Sequence, residues 1–287
     1  MSRRNPKRRV SRHATLVLGG VAALTAVPFA LSAPSAMAKP CYGDCQPGVV
    51  RAEGVLKYDA PVGVDDQITV TARDGFLAVT DPTATFTAGN GCTMVTAHEA
   101  HCTSLNVSSM VVRGLDGKDV ITNTTGLDAH LMGGVGDDRL VGGSGDDLLT
   151  GEFGADVLLG GGGSDTADYS ETSARSSVRA DLDGATGDDG GPEDGPAGAR
   201  DTIGADVENL QGTIRDDILI GNAGPNTLNA VGGHDLLRGL GGNDQLTGRG
   251  GGTIDGGANT DHCVSDLRGL LEQPDGFVGC ETTEIVN

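Results

Sequence analysis

Aspartates recur along this chain at a spacing of nine: Asp138, Asp147, Asp156 and Asp165, then Asp217, Asn226, Asp235 and Asp244, with Asp261 seventeen further on. The last interval is two repeats with one residue deleted around Gly252 and Thr253. Glycine turns precede the acids, as in "GGVGD", "GGSGD" and "GLGGN". A carboxylate is an acceptor with no proton to donate. Carboxylates brought close together do not all stay ionised without a counter-charge. The chemistry such a row can do is to hold cations.

A nine-residue unit also says what positions the acids. Five or six Gly-rich residues make a turn with positive φ, which glycine tolerates at little cost. The other three make a short strand whose middle side chain points inward. Two residues past each anchor stand Leu140, Leu149, Leu158, Ala167, Leu219, Leu228, Leu237, Leu246 and Cys263. Two units close one coil, and stacked coils bury these residues as ladders that no single unit could bury alone. Units n and n+2 then lie on the same side. That pairs Asp138 with Asp156, Asp147 with Asp165, Asp217 with Asp235, and Asp244 with Asp261. Calcium suits such pairs: it is a hard cation that takes six to eight oxygens, including backbone carbonyls.

"GGVGDDRLV", "GGSGDDLLT" and "GLGGNDQLT" resemble the G-G-x-G-x-D-x-U-x nonapeptide of hemolysin-type (RTX) calcium-binding proteins. The resemblance covers Gly133–Asp168 and Gly212–Cys263. It implies an all-β fold, a parallel β-roll or β-solenoid. It also implies calcium held between successive turns by the repeat aspartates and by turn carbonyls such as those of Gly134, Gly136, Gly143 and Gly145. The pattern is interrupted in places. Asn226, after Pro225, replaces an acid and predicts a weaker site with Asp244. Arg215 stands where a glycine is expected before Asp217. Asp119 and Asp128 read as degenerate leading units, with His130 in the inward place. RTX proteins of the usual kind are exported through a C-terminal signal, and that route is not carried over to a chain with an N-terminal one.

The flanking segments follow from composition. Residues 1–38 combine the basic "MSRRNPKRRVSRH", an apolar run and the small-residue pattern of "APSAMA", the marks of a secretory signal peptide. Cys41, past that cut and after a proline, is misplaced for a lipid anchor. Export implies an extracellular protein. Of the 20 basic residues six lie in this segment, so the remainder carries a net charge of −26. Such a chain is repelled by phosphate backbones and anionic lipid, which argues against nucleic-acid partners. No stretch beyond the signal is long enough for membrane insertion. Residues 39–113 alternate in "DQITVTA" and "GFLAVTD", reading as a β-rich N-terminal cap. Residues 114–168 are the first array and 169–211 an acidic loop insertion. Within it Val178, Ala180 and Leu182, and parts of "DTIGADVENL", could continue the coil, while "GATGDDGGPEDGPAGAR" reads as an exposed, flexible and solvated run. Residues 212–263 are the second array. Residues 264–287 are a C-terminal cap in which "SDLRGLLEQ" suggests a helical turn or two. Six cysteines in an exported chain favour disulfides. Pairing in order, Cys41–Cys45, Cys92–Cys102 and Cys263–Cys280, is the simplest of the connectivities the sequence leaves open.

An enzyme is not expected. "HEAHC", His98–Cys102, spaces its histidines by three where a zinc-protease helix needs four. Around Ser144 the chain reads "GGSGD", with Asp146 in place of the second glycine of a nucleophile elbow. The expected function is a secreted calcium-binding protein whose repeats fold on binding calcium. The alternative is an extracellular adhesion or partner-binding protein in which calcium is only structural.

Overall fold

A computed structural model describes residues 46–170, 176–268 and 273–286. The signal segment, Cys41 and Cys45, and residues 269–272 of the expected helical turn lie outside them. The described chain is a parallel β-solenoid: short strands on two sides, stacked coil upon coil, with no α-helix among the described residues. One side is a single 12-stranded sheet; the other is divided into sheets of eight and five strands.

The coil is eighteen residues long. Leu131 pairs with Leu149, Leu140 with Leu158, Leu219 with Leu237, and Leu228 with Leu246. These residues form continuous buried ladders, Leu131–Leu149–Ala167–Leu210–Leu228–Leu246–Cys263 on one side and Ile121–Leu140–Leu158–Ile203 on the other. The interior is two side chains wide, which is why aliphatic residues fill it. The leading unit differs from its expected phase. Ala129, nine before Asp138, occupies the anchor position, and Ala129 and Leu131 point inward while His130 lies between them, half-buried. The spacing of nine therefore holds here, with an alanine where the acid was assigned to Asp128.

The N-terminal region continues the stack and then closes it. Val55–Asp59 pairs in parallel with Ser109–Asp116, and Gln67–Arg73 with Val120–Asn123. Beyond them the strands turn antiparallel: Val49–Ala52 on Val55–Asp59, and Phe76–Thr80 on both Gln67–Arg73 and Glu99–Thr103. Tyr58 packs against Phe86 at 5.0 Å between ring centroids. Buried Asp59 is paired with Arg51 at 3.1 Å and Arg113 at 2.7 Å. The "HEAHC" stretch is part of a hairpin in which Cys102 is bonded to Cys92. His98 Nδ1 is 2.7 Å from the Ala84 carbonyl oxygen, and His101 stacks on Phe76.

Between the arrays, Thr202–Ile203 and Asn209–Gln211 resume the coil directly on Val157–Gly161 and Thr166–Asp168. Arg179–Asp181 adds a strand beside Ile218–Ile220. The insertion is not the wholly solvated run its composition suggests. Asp189 and Asp194 are buried because they satisfy backbone amides: Asp189 accepts from Asp181 and Ile203, Asp194 from Gly191. Among the tail residues, His262–Asp266 is a strand, so Ser265 and Asp266 are extended where a helical turn was expected; pairing with Gln245–Gly248 dictates it. Gly276–Val278 and Thr282–Val286 then complete another coil, and Cys263 is bonded to Cys280.

Leu228 is fully buried between Leu210 and Leu246. Leu228→Ala should lower the unfolding free energy of the calcium-loaded protein by about 2–5 kcal/mol. Denaturant titration checks it, and a loss well under about 1 kcal/mol would show that the ladder is not closely packed.

Candidate metal centre

Every coil turns at two edges, and the anchor aspartates line them. Along one edge the backbone amide of Asp138 donates to Asp156 Oδ1 at 2.8 Å, and that of Asp217 to Asp235 Oδ1 at 2.9 Å. Along the other, Asp147 donates to Asp165 Oδ1 at 2.9 Å, and Asp244 to Asp261 Oδ1 at 2.9 Å. All four sequence-paired sets are thus brought together, and neighbouring anchors such as Asp138 and Asp147 belong to different edges. The ladders run further than the pairs. Asp66 donates to Asp119, Asp119 to Asp138, and Asp156 to Asp201, 45 residues away. On the second edge Asp165 donates to Glu208 and Asp261 to Glu281. None of Asp66, Asp201, Glu208 and Glu281 lies eighteen residues from its ladder neighbour, so the coil period alone could not find them.

One oxygen of each anchor is used in this way. The other, Oδ2, is buried without a hydrogen-bond partner in Asp119, Asp138, Asp147, Asp156, Asp165, Asp235, Asp244 and Asp261. A buried, unpartnered carboxylate oxygen is costly. Burial raises the carboxyl pKa to about 7 at Asp138, Asp147 and Asp235 and to about 6 at Asp165 and Asp244. At Asp156 burial, and then the neighbouring Asp201 charge, push it up further.

The space beside all of these orphaned oxygens but that of Asp235 is left by a glycine five residues earlier. A Cβ on Gly133, Gly142, Gly151, Gly160 or Gly239 would come within 3.0 Å of the Oδ2 of Asp138, Asp147, Asp156, Asp165 or Asp244 respectively. At Gly142, Gly160 and Gly239 it would meet, equally closely, a carbonyl oxygen of the next coil, from Gly160, Asp206 and Gly256. A carboxylate oxygen and a carbonyl oxygen therefore converge on one small cradle, the donor set a hard cation takes. The residues fit calcium. Gly134, Gly136, Gly143 and Gly145 have a packing part as well. A Cβ on any of them would collide with the coil before; Gly134 and Gly136 have φ of 118° and 141°. They allow the turns to stack, and the first glycine of each unit lines the cradle. That role was legible in the sequence as a glycine five before nearly every anchor.

The sites are not equivalent. Both oxygens of Asp217 are taken, by the amide and hydroxyl of Thr213 and the amide of Val178, and Ala230 puts a methyl where Asp235 would have its glycine. The Asp217/Asp235 pair fits a cation least well. Asn226 spends its amide group on the Glu208 carbonyl and accepts from Asn222. One residue before the anchors runs an outer ladder in the opposite sense. Asp128, Asp137, Asp146 and Asp216 accept from the amides of Asp146, Ala155, Ser164 and His234 in the following coil.

Four segments, 132–167, 211–246, 220–253 and 230–263, match the model of the RTX calcium-binding nonapeptide repeat. They hold all eight anchor aspartates of the pairs above. No curated protein gives a significant match to the chain.

Gly142→Ala should reduce calcium uptake by the full chain, because its methyl would occupy the cradle of Asp147. Gly162→Ala, where a Cβ meets nothing within 4 Å, should leave uptake unchanged. Calorimetric titration of both separates the cradle from a general loss of glycine; equal behaviour would refute it.

Proposed function

We propose that this chain, a carrier of RTX calcium-binding nonapeptide repeats, is a secreted protein whose solenoid is completed by calcium and is only marginally stable without it. The observation that supports the reading most is the row of buried, unpartnered Oδ2 atoms facing glycine cradles. Calcium, when bound, supplies the positive charge that these oxygens lack and ties successive coils together. Asp147 and Asp165 hold their carboxylates in place by accepting from the coil beneath, so each acid is oriented before it takes a cation. The best-formed positions are those of Asp119, Asp147, Asp165, Asp244 and Asp261, where glycine and carbonyl both contribute. The positions of Asp138 and Asp156 follow, with an orphaned oxygen and a glycine. Binding that occurs only in the folded state adds its free energy to folding. Extracellular modules bind calcium at about 10⁻⁴–10⁻³ M, a range in which a chain made inside the cell stays unloaded until it leaves. The basic and apolar signal at residues 1–38 supports that route. Among the described residues no helix is long and apolar enough to cross a membrane.

Two outcomes test the reading. Calcium removal should abolish most of the β signal in circular dichroism and calcium should restore it; a spectrum indifferent to chelation would overturn the coupling. The pH dependence has a definite sign. In the metal-free fold the carboxyls of Asp138, Asp147 and Asp235 titrate near 7, above their ordinary range near 4, so between those values the folded chain holds more protons than the unfolded one. The metal-free protein should therefore lose stability as pH rises from about 4 to 7. Calcium affinity should rise over the same interval as protons are displaced. The residual β signal in calcium-free buffer at pH 5 and pH 7.5 checks the first, and a larger residual signal at pH 7.5 would contradict it.

A further inference from the structure

The insertion between the arrays carries a second kind of acidic cluster, outside all four matched segments. Strand Arg179–Asp181 ends, the chain turns through Leu182–Asp188, and Asp189 returns to the body of the protein. Asp181, Asp183 and Asp188 each offer a carboxylate oxygen, and the three oxygens lie within 4.8 Å of one another. Proximity of acids alone would be unremarkable on a surface. Here Asp181 is only 6% exposed, and although its Oδ2 accepts from Arg179 at 2.9 Å, its Oδ1 is buried with no partner. Asp188 Oδ1 is likewise buried and unpartnered.

The loop that holds them is built from below. Asp189 accepts from the amide of Asp181 at 2.7 Å and from that of Ile203 at 3.0 Å, which fixes the two limbs of the loop to the resumed coil. Leu182 is buried and donates to the Ile220 carbonyl at 3.1 Å. Gly187 donates to Thr202 Oγ1 at 3.0 Å, and Asp183 Oδ1 accepts from Ala185 at 2.6 Å. Of the three carboxylates only that of Asp181 has a guanidinium beside it, so negative charge stays uncompensated in a loop pinned at both ends. A concentrated, all-oxygen set of this kind selects a hard divalent ion.

We propose that Asp181, Asp183 and Asp188 form a binding site for one hard divalent cation, separate from the repeat ladders and sharing no residue with them. Occupied, it closes the turn of the insertion.

Calcium binding by the full chain, measured by equilibrium dialysis with elemental analysis, tests this directly. Asp183→Asn keeps the acceptor for Ala185 and removes one charge at an exposed position; it should bind one equivalent fewer than the parent, as should Asp188→Asn. Limited proteolysis supplies a second measurement: calcium should protect the 182–188 loop in the parent and not in Asp183→Asn. Asp156→Asn, in a ladder, serves as the independent comparison. If Asp183→Asn and Asp188→Asn both match the parent in stoichiometry and affinity, the loop site is overturned and the acids are a solvated turn. If they lose an equivalent while Asp156→Asn does not, the loop site stands and the ladder reading fails. No uptake by the parent would overturn both.

Discussion

The structure is governed by a charge that its own hydrogen bonds only half satisfy. At nearly every anchor position a carboxylate reaches back to the amide of the coil before it, alongside the strand pairing that spaces the coils. The same contact fixes the second oxygen in a buried position with nothing to accept from. Removing the acids would loosen the stack, and keeping them leaves negative charge where water does not reach. A cation beside the second oxygen would resolve the conflict. Stacking and metal binding are therefore two uses of one group. The raised carboxyl pKa values follow from the same burial, and protons are the weaker substitute for the missing positive charge.

Glycine contributes to this in two distinct ways. Gly134 and Gly136 let one turn lie against the previous one. Gly133 and Gly142 clear the volume beside the carboxylates. The first role is backbone packing and the second is ligand space. Ala230 shows the difference: the coil stacks normally at that position, but the cradle of Asp235 is filled.

Much of this was readable from the chain. A spacing of nine with leucine two residues past each acid defined the inward ladders, the eighteen-residue coil and all four aspartate pairs. What the spacing hid was whatever broke it. Asp201 and Glu208 take anchor-like places only because the insertion of 169–200 returns to the register it left. Asp66 joins the ladder from a region with no repeat at all. His130 falls outside the inward row because Ala129 holds the anchor position without an acid. The insertion looked solvated because composition counts charges and says nothing of the amides that Asp189 and Asp194 were to meet. The tail looked helical over Ser265 and Asp266, where strand pairing overrode local preference.

The two sides of the solenoid treat the insertion differently. The 12-stranded sheet passes from Thr166–Asp168 to Asn209–Gln211 without a gap, while the opposite side is parted into two sheets. One seam is continuous and the other is open. The solenoid can thus lengthen in two independent ways: by duplicating units of nine, which extends both seams, or by admitting foreign sequence at the open one, which disturbs neither the register nor the unbroken side. The open seam is a modular port, a place where such a scaffold can acquire a new loop and keep its architecture.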